Sequence, residues 1–237
     1  EVIIPAYTYC ATALAVMHIG AKPVIVDVGK DFNISTDEIK KHITPRTKAI
    51  VPVDIAGYPC DYDEIYNIVN DEEVKKIFIC TNEVQRMLGR ILIMSDAAHS
   101  IGAVYKDKPS GSLCDISVFS FHAVKNVTTA EGGAICLNLP GKFDNDELYA
   151  WLRLLSLNGQ TKDAFTKSLG GNWKYDIVYP GFKINLSDIC AAVGLAQIRK
   201  YTSDLLLRRK EIFERYNEEF KDEDWVEIPP SRNEIKE

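Results

Sequence analysis

The sequence is short of several things, and each shortage removes a class of protein. No apolar run approaches the roughly 18–20 residues needed to cross a bilayer. The longest are interrupted by charge, as at Asp27 and Asp54, so a membrane-spanning protein is not expected. There is no low-complexity tract and no internal repeat, which removes disordered linkers and solenoids. There is no basic stripe with interleaved aromatics, and the net charge is -6, so no nucleic-acid surface is expected. The six cysteines, Cys10, Cys60, Cys80, Cys114, Cys136 and Cys190, include no C-x-x-C pair, which removes the common zinc and redox spacings. Each lies in or beside an apolar stretch and is expected to be a small buried thiol in a reducing cytosol. No signal peptide opens the chain, and a cytoplasmic location is expected.

What remains is a globular composition: 237 residues, 46% hydrophobic and 26% charged. Short apolar strands alternate with helical stretches, the pattern of an α/β domain with a mainly parallel sheet. "VIIP" reads as a strand stopped by Pro5, and "CATALAVMHIG" as a buried helix closed by Gly20. "KPVIVDV" and "TKAIVPVDIAG" read as strands. Between them "STDEIKKHI" starts a helix, with Ser35 and Glu38 as a capping box. "DYDEIYNIVN" is a short helix, and residues 71–88 are expected to be mostly helical, although "IFIC" has strand character. "ILIMS", "DISVFSF" and "GGAICLN" are further strands, and "AVYKDKPSGS" is a surface hairpin. A helix is expected from Asp146 to Leu155, then a polar loop from Asn158 to Tyr179. A long helical region from Ser187 to about Lys221 is expected to break near Thr202 and Ser203.

Ligands of open α/β sheets bind at the carboxyl ends of the strands. Asp96 follows "ILIMS", with His99 three residues on. Ser120 closes "DISVFS", and Lys125 stands in the loop behind it. An acid, an imidazole, a hydroxyl and an amine thus converge if these strands are neighbours. A lysine in a cleft has a particular use, because burial favours the neutral amine, which attacks carbonyls to form a Schiff base. Where the carbonyl belongs to pyridoxal phosphate, an acid is needed beside the pyridine nitrogen, and Asp96 is the candidate. An aromatic face is needed over the ring, from Tyr7 or Tyr9. A hydroxyl is needed at the phosphate, and Ser120 fits. His18, in an apolar helix, and His42, near a helix end, read as structural.

"SDAAHSIGA", "SFHAVKN" with "EGGAI", and "GFKINLSDICAAVGLAQI" together resemble the DegT/DnrJ/StrS family of pyridoxal-phosphate aminotransferases acting on nucleotide-linked keto sugars. "EVIIPAYTYCATALAVMHIGAKPVIVDV" and "ITPRTKAIVPVDIAGYPCDYDEI" extend the likeness, which runs from Glu1 to about Glu219. The resemblance implies a fold-type I large domain over residues 1–200. Residues 201–237 would be a linking helix and the start of a small C-terminal domain, in a homodimer with shared active sites. It implies that Lys125 forms the internal aldimine and that Asp96 pairs with the pyridinium nitrogen. His99, where most members carry Gln, would meet the phenolic oxygen. Ser120 would bind phosphate, Tyr9 would stack on the ring, Asn185 would reach the phosphate across the dimer, and His122 would lie on the substrate side. The implied reaction moves an amino group from an amino acid, glutamate in the first instance, to the keto sugar, in polysaccharide or related amino-sugar biosynthesis.

Two departures temper these implications. The family carries a Gly-Ser/Thr phosphate loop before the strand with which this sequence opens, and its small domain runs further than Glu237. The chain is therefore expected to be truncated at both ends. A non-catalytic or regulatory relative is the alternative this raises. A sugar dehydratase of the same family is the other, but those members carry histidine in place of the lysine.

Overall fold

Apolar segments that the sequence marks as strands lie side by side, and the first, Val2–Pro5, is the most fully covered of them. The protein is described by a computed structural model over residues 1–162, 166–167, 169, 173–228 and 235–236. In strand β1 (Val2–Pro5) every residue is buried. Ile3 joins one apolar cluster, with Ile50, Ile65 and Ile93. Val2 and Ile4 join a second, with Val16 and Val51. This is the alternation of a pleated strand covered on both sides, which parallel sheets require.

β1 pairs in parallel with β2 (Pro23–Val26) on one side and β3 (Ala49–Ile50) on the other. β3 pairs in parallel with β4 (Leu92–Asp96), and β4 with β7 (Ile116–Ser120). β7 pairs antiparallel with β8 (Gly133–Leu137). The order is β2-β1-β3-β4-β7-β8, six strands. The predicted surface hairpin is present as β5 (Val104–Tyr105) and β6 (Lys108–Pro109), with β9 (Ile235–Lys236) added beside β5.

The helices follow their local signals, with some corrections. Helix α1 (Cys10–His18) forms as predicted, but it is not buried: only Thr12 and Val16 are. Leu14 and Met17 stand 43% and 57% exposed, because only one edge of the helix meets the sheet. In α2 (Thr36–His42) Ser35 accepts the Glu38 amide at 3.3 Å. The return half of the predicted capping box is replaced, since the Ser35 amide donates to the Asp27 carbonyl at 3.1 Å and Glu38 pairs with Lys41 at 2.6 Å.

α3 (Tyr62–Asn70) is capped by Asp61. Residues 71–88 hold two short helices, α4 (Glu72–Ile77) and α5 (Glu83–Leu88), and "IFIC", whose first residue ends α4, is not a strand. Gly89, left-handed at φ 70°, ends α5. α6 spans Asn145–Ser156. Within the predicted 158–179 loop, residues 163–165, 168 and 170–172 lie outside the described residues, as do 229–234 and 237 in the predicted C-terminal segment.

The predicted break near Thr202 and Ser203 takes the form of a π-helical interruption, entered at Lys200 with φ -117°. α7 (Asp188–Lys200) continues through a π-helical turn, Tyr201–Leu205, into α8 (Leu206–Phe220). Such a wide turn inserts a residue without ending the helix and often marks a functional position. The cysteines also differ from expectation: Cys60 and Cys114 are buried, Cys80, Cys136 and Cys190 are half-buried, and Cys10 is exposed at the start of α1. Among the described residues no helix is long and apolar enough to cross a membrane.

One charged pair sits inside this fold. The Asp115 carboxylate, before β7, accepts two hydrogen bonds from Arg90 at 2.7 Å each and one from the Ile93 amide at 2.9 Å. The two side chains are 2% and 11% exposed, so the pair ties the start of β4 to the start of β7. Removing one partner strands the other charge in the interior. Asp115→Ala is expected to lower stability by about 3–5 kcal/mol. Lys76→Ala, which breaks an exposed pair with Glu73, is expected to leave the urea midpoint in place. Equilibrium unfolding of the two variants checks both.

Candidate active site

The carboxyl ends of β4 and β7 carry the residues singled out from the sequence. The strands are direct neighbours, with Asp96 opposite Val118. Asp96 ends β4 half-buried, its Oδ2 accepting the Thr12 hydroxyl at 2.8 Å and its Oδ1 the Ala98 amide at 3.2 Å. Thr12 comes from the first turn of α1, so the helix that follows β1 returns to hold the acid.

His99 lies three residues beyond Asp96. Its Nε2 is 2.8 Å from Lys125 Nζ, and its Nδ1 accepts the Ala56 amide at 3.3 Å. Burial, then the Lys125 charge, hold the His99 pKa below its ordinary value, and the Asp96 carboxylate pulls the other way. The imidazole therefore feels both the amine and, more weakly, the acid. A cavity of about 230 Å³ opens here, lined by Ala56, His99, Val124, Lys125 and Asn126. A second, of about 340 Å³, shares Ala56 and Asn126 with it and adds Phe32, Tyr58, Phe213 and Arg209 among its walls.

The loop that carries Lys125 is anchored by the buried Val127 and by a set of hydrogen bonds. The Lys125 amide donates to the His122 carbonyl at 2.9 Å, closing a turn. Asn126 donates to the His99 carbonyl at 3.1 Å. Gln197, on α7, brackets Thr128: its Oε1 accepts the amide at 3.1 Å and its Nε2 donates to the carbonyl at 2.6 Å. Gly194 faces the same loop, where a Cβ would stand 2.7 Å from Thr129 Cγ2. The π-helical turn brings the Tyr201 hydroxyl to the Ile101 carbonyl at 2.7 Å, so the 99–103 loop is held from the same helix.

The remaining sequence candidates are placed less closely. Ser120 ends β7, and its hydroxyl oxygen accepts the His122 amide at 3.3 Å, leaving its proton to donate elsewhere. The exposed His122 imidazole stands 3.8 Å from Glu131. Tyr9 caps α1 and is 77% exposed, whereas Tyr7 packs against Phe32 with ring centroids 5.5 Å apart. Asn185 is exposed and bonds its neighbours, accepting from Lys183 and donating to the Leu186 carbonyl. Sequence reasoning missed Thr12, Ala56, Asn126 and Gln197. Of these only Gln197, a polar residue interrupting "AAVGLA" and "IRK", carried a signal.

Amine, acid and hydroxyl, set at the ends of neighbouring parallel strands, are the donor set pyridoxal phosphate needs, so the residues present fit that group. The profile of the DegT/DnrJ/EryC1/StrS aminotransferase family matches residues 1–236. The chain is 36% identical over 222 residues to the spore coat polysaccharide biosynthesis protein SpsC of Bacillus subtilis, covering 93% of this chain and 51% of SpsC. Spr1654 from Streptococcus pneumoniae, solved in a PMP form, superposes with a TM-score of 0.90 at 44% identity over 99% of this chain and 58% of its own. A PLP form of Spr1654 has also been solved. PseC of Helicobacter pylori, an aminotransferase involved in the biosynthesis of pseudoaminic acid, superposes at 0.74 with 30% identity, over 94% of this chain and 52% of its own. The chain spans about half the length of the curated relatives it matches. A profile match along nearly every residue, with a shared fold at more than 40% identity, makes this chain a member of the DegT/DnrJ/EryC1/StrS aminotransferase family.

Proposed function

We propose that this protein transfers an amino group from an amino acid, glutamate, to a nucleotide-linked keto sugar, with pyridoxal 5′-phosphate held at Lys125. The observation that carries the reading is that Lys125 Nζ meets the His99 imidazole at 2.8 Å, three residues beyond Asp96 at the carboxyl end of β4. Pyridoxal phosphate, when bound, supplies an electron-accepting ring. Lys125 would hold it covalently, Asp96 would bind its ring nitrogen, and Ser120 would donate to its phosphate. His99 would meet its phenolic oxygen and Tyr9 would cover one face. Lys125 Nζ would also serve as general base and acid, moving a proton between carbons of the substrate.

The adjoining cavity supports a nucleotide-linked substrate. It offers the aromatic surface of Phe32, Tyr58 and Phe213 and the guanidinium of Arg209, which suit a base and a phosphate. His122, exposed three residues before Lys125, would lie on the substrate side. The likeness to SpsC supports a place in polysaccharide biosynthesis. Residues 1–200 would form the cofactor-binding domain and residues 201–237 the link to a smaller one. Six free thiols suit the cytoplasm, where they stay reduced.

In a homodimer, exposed Asn185 would serve the partner's site. Apolar side chains are displayed on α1 and α7: Met17 is 57% exposed and Ile189 81%. Such faces are covered in stable assemblies.

Pyridoxal 5′-phosphate titration followed by borohydride reduction and peptide mapping is expected to label Lys125. Lys125→Ala is expected to lose the label and about 10²–10⁴-fold in turnover. Asp96→Asn is expected to keep the label while turnover falls. A label on another lysine, or undiminished turnover without Lys125, overturns the reading. Sedimentation equilibrium is expected to give a dimer, which Ile189→Asp weakens.

A further inference from the structure

We propose that the π-helical turn at Tyr201–Leu205 is a register device: it sets Arg209, and not Arg208, in the wall of the cavity beside Lys125, where Arg209 binds the phosphates of a nucleoside diphosphate. This deepens, and rests on, the reading of the substrate as a nucleotide-linked sugar.

Each step along an α-helix turns the chain by about 100°. In a regular helix Tyr201, Leu205, Arg208 and Ile212 would therefore share one face. Here the Leu206 amide donates to the Tyr201 carbonyl, five positions back, which is the π-helical bond. The added residue sets everything after it back by one, and the shared face becomes Tyr201, Leu206, Arg209 and Phe213. The surroundings agree. A Cβ on Gly102 would stand 2.8 Å from Tyr201 Cε1 and 3.4 Å from Leu206 Cδ2, so these two side chains meet the same residue. Leu206, Arg209 and Phe213 line the cavity of about 340 Å³, whereas Leu205, Arg208 and Ile212 do not. Burial raises the Tyr201 pKa and the Arg209 charge opposes it, which puts the guanidinium on the Tyr201 side of the helix.

The neighbouring cations are occupied differently. Arg208, its side chain 73% exposed, pairs with Glu211 at 3.1 Å. Lys210, also in the cavity wall, reaches back to Glu214 at 3.7 Å. Asp31 is the acid of that wall. Arg209 makes no ion pair among the described residues, so its fork of donors is open to an anion, and phosphate matches that fork.

The opposite wall is aromatic and deliberately built. Phe32 is held at φ 63° and stands 51% exposed. A left-handed backbone is costly for a bulky residue and persists only where the surroundings enforce it. The Phe32 amide donates to the Gly29 carbonyl at 3.1 Å, and the Gly29 amide to the Asn33 carbonyl at 2.8 Å. Asn33, 2% exposed, then donates to the Tyr58 carbonyl at 3.0 Å and accepts the Ile55 amide at 3.2 Å. One buried side chain thus fixes the loops that carry Phe32 and Tyr58. A planar ring between aromatic faces and a phosphate at Arg209 describe a nucleoside diphosphate. Ala56 and Asn126 are shared with the Lys125 cavity, so the attached sugar would extend toward the amine.

Calorimetric titration of the whole chain, without pyridoxal phosphate, tests the proposal. UDP, dTDP and GDP are offered in turn, and the tightest is carried into the variants. Arg209→Ala is expected to weaken it about tenfold, the worth of a hydrogen bond to a charged group at an open site. Arg208→Ala is expected to stay within about twofold. Phe32→Asn, which tolerates the left-handed backbone and removes the ring, is expected to cost about fivefold or more. Deletion of Ser203 removes the added residue and lets a regular helix present the same face, so affinity and its dependence on Arg209 are expected to survive. A loss centred on Arg208, affinity indifferent to Arg209 or to Phe32, or a Ser203 deletion that is folded by circular dichroism and no longer binds overturns the proposal. Each leaves the nucleotide reading standing, because a nucleotide still binds the wild type. Should the deletion not fold, the three substitutions decide. If none of the nucleotides binds the wild type, the nucleotide-linked substrate falls with the proposal, and labelling of Lys125 judges the aminotransferase reading separately.

Discussion

The site depends on one buried carboxylate. Asp54 has no exposed surface, and burial raises its pKa, because a charge removed from water must be stabilised from within. Its partners are drawn from three places: Ser100 from the loop after β4, Tyr62 from the start of α3, and the Cys60 amide between them. Satisfying that carboxylate forces the chain after β3 to turn sharply, and the sharp turn presents the Ala56 amide to His99. Loss of a partner would leave a polar atom unpaired in the interior, which costs more than the bond itself was worth. The network is rigid for that reason.

A second constraint works from the opposite side. The loop bearing Lys125 runs from the end of β7 at Ser120 to the start of β8 at Gly133, and Val127 and Thr129 are its buried residues. It is placed by Gln197, whose amide group satisfies both backbone groups of Thr128, and by the close approach that Gly194 allows. The π-helical turn one step along rotates Tyr201 toward Ile101. One helix thus positions both loops that meet at the Lys125–His99 contact. Amine, imidazole and acid come from different elements, and their arrangement is set by polar groups that have nothing to do with reacting.

Much of the fold was legible in the residues. β1 and β4 announced themselves as short apolar runs, and the cap at Ser35 sits where its side chain predicts. What misled were features that look alike locally. "CATALAVMH" has the composition of a core helix, yet most of its surface is open, because composition carries no record of how many neighbours a helix receives. "IFIC" has strand propensity but no partner edge, so it connects two helices. Ser35 and Glu38 make half of a capping box because a distant carbonyl, from Asp27, reaches the Ser35 amide first. At the site, Lys125, Asp96, His99 and Ser120 were readable as reactive groups at strand ends. Thr12, Ala56 and Asn126 were not, since a threonine, an alanine and an asparagine have no chemistry that distinguishes them before they are seen beside a carboxylate or an imidazole.

By itself the sequence determined the alternation of strands and helices and the identity of the reactive side chains, because periodicity, capping and functional-group chemistry act over a few residues. Only the tertiary structure decided which groups meet: Thr12 with Asp96 across 84 positions, Gln197 with Thr128 across 69, Tyr201 with Ile101 across 100. Those meetings follow from strand order, which places β4 beside β7 although a hairpin and a loop separate them in the chain. Strand order is settled by which apolar faces bury each other, and burial is a property of the whole chain and not of any one segment.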